Sequence, residues 1–195
     1  GTGLAMPFFA GRGFLSTGVD LSLVMLQRAR GRAQRLVAAD TRALPLRGPF
    51  SRITCLYDSL NHLIHPPDLA VAFGEIARVM DSESLFLFDM NHPEIYPEVW
   101  GMKEPFIDEG RDFHLEIATT YRRRELLGRA LVTGWAIVGG ERIKIRERHT
   151  QRCYERDEIV GALAEGGLDP IEIHEFDPWN EGRIVKLVFA CRKRT

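Results

Sequence analysis

The chain has 195 residues, enough for one domain of ordinary size or one with a modest appendage. Hydrophobic residues make up 45% and charged residues 27%, a globular balance, and a net charge of −1 excludes a global pull toward nucleic acid or anionic membrane. No apolar run approaches the roughly 20 residues that span a bilayer as a helix, and Cys55, Cys153 and Cys191 are too scattered for a disulfide framework or metal set, so they read as reduced thiols of a cytoplasmic protein.

Gly3 to Ala10 reads as a glycine turn entering a short helix, which Gly11 and Gly13 close. Phe14 to Val19 is a short strand ending at Asp20. Ser22 then caps a helix over Leu23 to Arg30, with Leu23, Leu26 and Ala29 near one face. Leu36 to Ala39 is a second strand running into Asp40, and Ile53 to Leu56 is an apolar run suited to a buried parallel strand. Asp68 is placed to cap a helix whose Leu69, Phe73, Ile76 and Met80 form an amphipathic stripe. Leu85 to Phe88 is another strand, ending at Asp89. Strands alternating with helices in this way predict a parallel sheet covered by helices.

The pattern changes after Pro97. From Phe113 to Tyr154 polar and apolar residues alternate: Leu115, Ile117 and Thr119 share one parity, and Ile143 and Ile145 sit among Arg142, Lys144 and Arg146. Gly139-Gly140 between two such runs is a hairpin signal. This stretch predicts an antiparallel sheet with one wet face. A last helix covers Arg156 to Glu165, with Asp157 and Glu158 in its first turn, and strands near Ile171 to Phe176 and Val185 to Ala190 close the chain.

In open parallel sheets, ligands lie beyond the carboxyl ends of the strands. Three strand ends carry Asp20, Asp40 and Asp89, and the chain opens on Gly1-Thr2-Gly3 leading into a helix. A glycine turn lets backbone approach a ligand closely, and an acid at the next strand end can accept from ribose hydroxyls.

With GTG before a helix, then GVDLSLVMLQRAR, VAADTRALPL and FSRITCLYDSLNHL, the chain resembles the class I S-adenosylmethionine-dependent methyltransferases. These four landmarks stand in the family's order, DLAVAFGEIARVMDSESLFLFDMN continues them, and RERHTQRCYERDEIVGALAEGGLDPIEI is similar to the closing part of bacterial small-molecule members. The resemblance implies an α/β fold: a Rossmann-like, doubly wound, mostly parallel sheet of seven strands, the last antiparallel. Residues 1–97 and 155–195 would form the core, and 98–154 an antiparallel β insert over the substrate site. In the family a buried central strand ending in acid-x-Gly-x-Gly-x-Gly precedes the helix. The expectation is therefore an N-terminal segment ahead of Gly1 in the natural protein.

The resemblance further implies S-adenosyl-L-methionine as cofactor. Gly1 and Gly3 would line its amino acid part, Asp20 take the ribose hydroxyls and Leu21 pack on the adenine. Asp40 would meet the adenine amino group beside Thr41, and Leu56 and Tyr57 would lie near the methionine portion. Catalytic candidates are Tyr57 and His62, with Asp58, Asn61, His65, Asn91 and His92 nearby; Tyr121, Trp135, Arg146, His149 and Tyr154 lie on the insert. His62 and His65 lack a third ligand at a recognisable spacing, so no metal is expected. The expected acceptor is a small molecule methylated at nitrogen or oxygen, with nucleic acid and membrane disfavoured and a homodimer open as an assembly. Other readings are a non-catalytic cofactor-binding scaffold, a small RNA methyltransferase, and a nicotinamide-dependent oxidoreductase, which the LYDSLNHL segment and the insert fit poorly.

Overall fold

A computed structural model describes residues 1–177 and 182–195. The opening turn enters helix α1 (Met6–Ala10), where Pro7 occupies a first-turn position that needs no amide donor. Strand β1 (Thr17–Asp20) follows, then α2 (Leu23–Ala29), capped by Ser22, whose Oγ accepts from the Met25 amide at 3.3 Å. Leu26 and Ala29 are buried, whereas Leu23 faces solvent, so the apolar stripe of α2 is narrower than its periodicity predicted. Strands β2 (Arg35–Ala38) and β3 (Arg52–Cys55) come next.

Helix α3 (Pro66–Arg78) starts on two prolines and buries Leu69, Ala72, Phe73, Ile76 and Ala77. His65 holds the cap position; Asp68, expected to cap, lies in the first turn and accepts instead from Arg42 at 2.6 Å. Strand β4 (Leu85–Asn91) runs past Asp89, which therefore sits within the strand. Helix α4 (Arg156–Glu165) begins with a capping box in which Glu158 accepts from the Glu155 amide at 2.9 Å and Glu155 returns the contact. Strands β9 (Leu168–Phe176) and β10 (Lys186–Lys193) close the fold.

β3 and β4 pair in parallel, and β10 lies antiparallel between β4 and β9. The register sets Phe189 opposite Phe88, their rings stacked with centroids 4.8 Å apart, while Phe86 stacks on Phe88 and Phe73 of α3 meets both. Aromatic contacts of this kind add about 0.5–1.5 kcal/mol each beyond burial. This cluster, with Leu163 and Ile159 of α4, is the core that holds the carboxyl ends of β3 and β4 in place.

β1 and β2 form a separate parallel pair. A cleft of 310 Å³ runs between the two sheets, lined by Thr17–Val19 of β1, by residues 52–55 of β3 and by Leu36 and Phe86. The resemblance implied one sheet of seven strands; the described residues supply six, because no strand bridges β1 and β3.

The insert is a third, four-stranded antiparallel sheet in the order β5 (Phe106–Gly110), β6 (Phe113–Arg122), β7 (Leu127–Val138), β8 (Glu141–Arg152). Gly139 and Gly140 turn β7 into β8 with φ of +61° and +87°, the left-handed pair that a two-residue hairpin demands. A π-helical turn over Tyr96–Trp100 leads into the insert and lays the Trp100 indole on β7. A Cβ on Gly128 would come within 2.6 Å of that ring, so only glycine lets it lie there.

Candidate active site

Asp20, Asp40 and the loop after β3 all lie at the carboxyl ends of parallel strands, on one edge of the fold. Gly3 turns the chain with φ +72°, and a Cβ there would approach the Ala29 Cβ to 3.1 Å, so the glycine seats the turn against α2. Asp20 accepts from the Ser22 amide at 2.7 Å. Asp40 is gripped by Arg42, whose guanidinium donates to both carboxylate oxygens at 3.0 and 2.6 Å. Those bonds, with the Arg42 amide, lower the Asp40 carboxyl to about 2. Thr41 borders the cleft with Gly1 and Gly3, Leu56 is half-buried, and Leu21 is 73% exposed.

The turn after β3 is strained. Tyr57 and Asp58 take φ of +61° and +48°, the left-handed region, which costs of the order of 1–3 kcal/mol for a residue with a side chain. One carboxylate holds both: Asp89 accepts from the Tyr57 amide at 2.6 Å and the Asp58 amide at 3.0 Å. Lys186, at the start of β10, pairs with Asp89 at 2.9 Å and with Asp58. Three strands thus converge on one turn.

A single 3₁₀ turn, Ser59–His62, carries the chain onward. The Asn61 side chain is fully buried, donating to Tyr96 Oη and the Arg152 carbonyl and accepting from the Asn91 amide at 3.0 Å. Burial raises the Tyr96 phenol above its ordinary range, which keeps its proton in place for the Arg152 carbonyl. Gln151 of β8 is 4% exposed. Its Oε1 accepts from Asn91 Nδ2 at 2.8 Å, and its Nε2 donates to Asp58 at 2.6 Å and faces His62 Nε2 at 3.3 Å.

His62 Nδ1 lies 3.1 Å from the Thr150 carbonyl, which can only accept, so this nitrogen carries the proton and Nε2 carries the lone pair. His62 lines a cavity of 490 Å³ between the core and the insert, within the size range of small-molecule sites. Asp58, His62, Asn91, His149 and Gln151 form its polar end; Ile95, Val99, Trp100, Met102, Phe106 and Val132 are among its apolar walls. His149 packs edge-on toward His62, ring centroids 6.3 Å apart, and meets Glu147 at 3.1 Å.

The structure thus gathers Asp58, His62, Asn91 and His149 at one cavity. It leaves Tyr57 outside: that side chain is 83% exposed and only its backbone enters the network. His65 and His92 border no part of the cavity, Arg146 is solvated, Trp135 lies under Arg142, and Tyr121 and Tyr154 pack inward. Sequence reasoning missed Gln151, Lys186, Trp100 and Thr150. Gln151 shares strand parity with His149, a signal that could have found it; for Lys186 nothing local marks the role.

The family model described as a methyltransferase domain matches residues 1–83. The Bacillus subtilis protein named "Putative methyltransferase YqeM" is 30% identical over 179 residues, covering 86% of this chain and 70% of that one. A similarly named Geobacillus protein is 32% identical over 97 residues, 47% of this chain, and the match spans only 39% of that relative's length. Among solved structures, an S-adenosylmethionine-dependent methyltransferase from Clostridium acetobutylicum superposes with a TM-score of 0.80 at 21% identity, over 92% of this chain and 75% of that one. The sugar N-methyltransferase KedS8 from Streptoalloteichus superposes with a TM-score of 0.77 at 19% identity, over 100% and 77%. At these identities the structures establish a shared fold, a Rossmann-like α/β sheet with added antiparallel strands. Through its likeness to YqeM over most of both chains, the protein belongs to the class I S-adenosylmethionine-dependent methyltransferases.

Proposed function

We propose that this protein transfers the methyl group of S-adenosyl-L-methionine to a nitrogen or oxygen of a small-molecule acceptor, bound in the cavity between the turn after β3 and the insert. The observation that carries this reading is His62, whose Nδ1 is held at the Thr150 carbonyl and whose side chain lines a cavity of ligand size. KedS8 and an amino pentose methyltransferase from Micromonospora, which share the fold, are named for small sugar acceptors and support the acceptor class.

The residues at the strand ends fit the cofactor. Gly1 and Gly3 offer a turn that backbone can bring close to a ligand, and Asp20 offers a carboxylate to ribose hydroxyls. Leu21, Asp40, Thr41, Leu56 and the Tyr57 backbone complete the lining. The cofactor supplies a methyl group already activated by positive sulfur, so the protein's work is positioning: a nucleophile held about 3–3.5 Å from the methyl carbon and in line with sulfur. His62 removes the acceptor's proton. Asp89, Asp58 and Lys186 hold the turn that aligns the two sites.

His62→Gln tests this assignment, because an amide keeps the size and loses the basicity. The turnover number should fall by about 10²–10⁴-fold, with S-adenosylhomocysteine binding by calorimetry unchanged. Undiminished turnover would remove His62 from the mechanism. Tight NAD binding without adenosyl-cofactor binding would refute the reading as a whole.

A further inference from the structure

We propose that the acceptor enters as a cationic amine, its ammonium held by Asp58 and its proton taken by His62; this rests on the methyl-transfer reading above. The first support is charge. Among the described residues, no lysine or arginine lines the cavity, and Asp58 stands at its polar end. Behind it, Asp58 and Asp89 share the single ammonium of Lys186, leaving one formal negative charge uncompensated. A cationic acceptor balances that charge, and an anionic one adds to it.

The second support is the hydrogen-bond inventory. Asp58 and His62 both line the cavity, and the Asp58 carboxylate and His62 Nε2 are two acceptors that draw on the same Gln151 amide, at 2.6 and 3.3 Å. An ammonium group brings donors for both at once. A carboxylate brings none, and a hydroxyl brings one.

The third support is acidity. Ammonium groups release a proton at roughly pH 8–10, within reach of a side-chain base. An aliphatic alcohol is about as weak an acid as water, far beyond the reach of an imidazole. A phenol matches an amine in acidity but becomes an anion beside Asp58. The wall of Ile95, Val99, Trp100, Met102 and Phe106 then receives the apolar body of the amine. The step balances: an ammonium N–H passes its proton to His62 Nε2, and the freed nitrogen lone pair forms the bond to the methyl carbon. The methyl–sulfur bond breaks with its electrons left on sulfur, the methylated nitrogen keeps the positive charge, and His62 gives its proton to solvent.

The test uses the intact protein saturated with S-adenosylhomocysteine, titrated in a calorimeter with phenethylamine, 4-ethylphenol and 3-phenylpropionate, three compounds of similar apolar body. Phenethylamine should bind at least tenfold more tightly than either of the others. Asp58→Asn, which suits the left-handed backbone, should abolish that preference in protein saturated with S-adenosylhomocysteine. His62→Gln should keep the amine preference and lose turnover. Equal or tighter binding of the phenol or carboxylate, absence of millimolar phenethylamine binding, or a preference that survives Asp58→Asn overturns the inference and leaves the methyl-transfer reading standing. Failure of S-adenosylhomocysteine itself to bind brings down both.

Discussion

Asp58 illustrates how one residue is held in a conformation its own backbone disfavours. Two successive left-handed residues with side chains persist here because Asp89 accepts both their amides and Lys186 pairs with Asp89 and Asp58 together. Asp20 is held more simply, by the Ser22 amide. Its proposed role is charge-assisted acceptance from the ribose, so Asp20→Ala should weaken S-adenosylhomocysteine binding by about 1.5–3 kcal/mol, roughly 10- to 150-fold in dissociation constant. Calorimetry reads this directly, and unchanged affinity would mean that β1 has been aligned wrongly with the family. Asp20 and Asp40 were legible in sequence because each stands at or just after the end of a strand with a readable apolar pattern, and His62 because it lies in the segment after β3. Gln151 and Lys186 were not, since they reach Asp58 across 93 and 128 residues and only the folded sheets bring them there.

Elements differ in legibility for the same reason. The stripe of α3 announced itself, because residues at spacings of three and four share one face and that face meets the aromatic core. The Gly139-Gly140 hairpin was equally plain. β5 was not foreseen: every residue of Phe106–Gly110 is exposed, so no alternation of burial marks it, and it exists only through pairing with β6. The π-helical turn before it was also unreadable, although its consequence is sharp. Trp100 stacks on Tyr96 and lies across Gly128 on β7. Gly128→Ala should therefore force the indole aside and cost about 1–3 kcal/mol of stability by overpacking. Urea unfolding measures the loss, and Trp100→Leu in the same background should return part of it by making room. If Gly128→Ala alone costs nothing, the indole does not occupy that place.

At the scale of the molecule, Arg42 ties the end of β2 to α3 by pairing with both Asp40 and Asp68. Hydrogen bonds from the Arg42 side chain, then from its amide, lower the Asp40 carboxyl from 3.8 to about 2. A carboxyl depressed on folding contributes stability above its unfolded value, and that contribution drains away as pH falls from about 4 toward 2. Because both side chains remain partly exposed, solvent screening keeps that contribution small. Arg42→Met should accordingly lower stability at pH 7, and the gap from the wild type should narrow by pH 3 in paired urea titrations. A gap independent of pH would show that the link works through packing alone. No helix among the described residues is long and apolar enough to cross a membrane.

The contact between His62 Nδ1 and the Thr150 carbonyl has a bearing on engineering. The imidazole comes from the core, but its proton address is written by the last strand of the insert, which also supplies the amide that faces its free nitrogen. Grafting another insert onto this core to change the acceptor would therefore exchange the partner that orients the base together with the pocket wall. A chimera that keeps a carbonyl at position 150 and glutamine at 151 should inherit a working imidazole, whereas one that shifts β8 by a residue would present the ring with its proton on the wrong side.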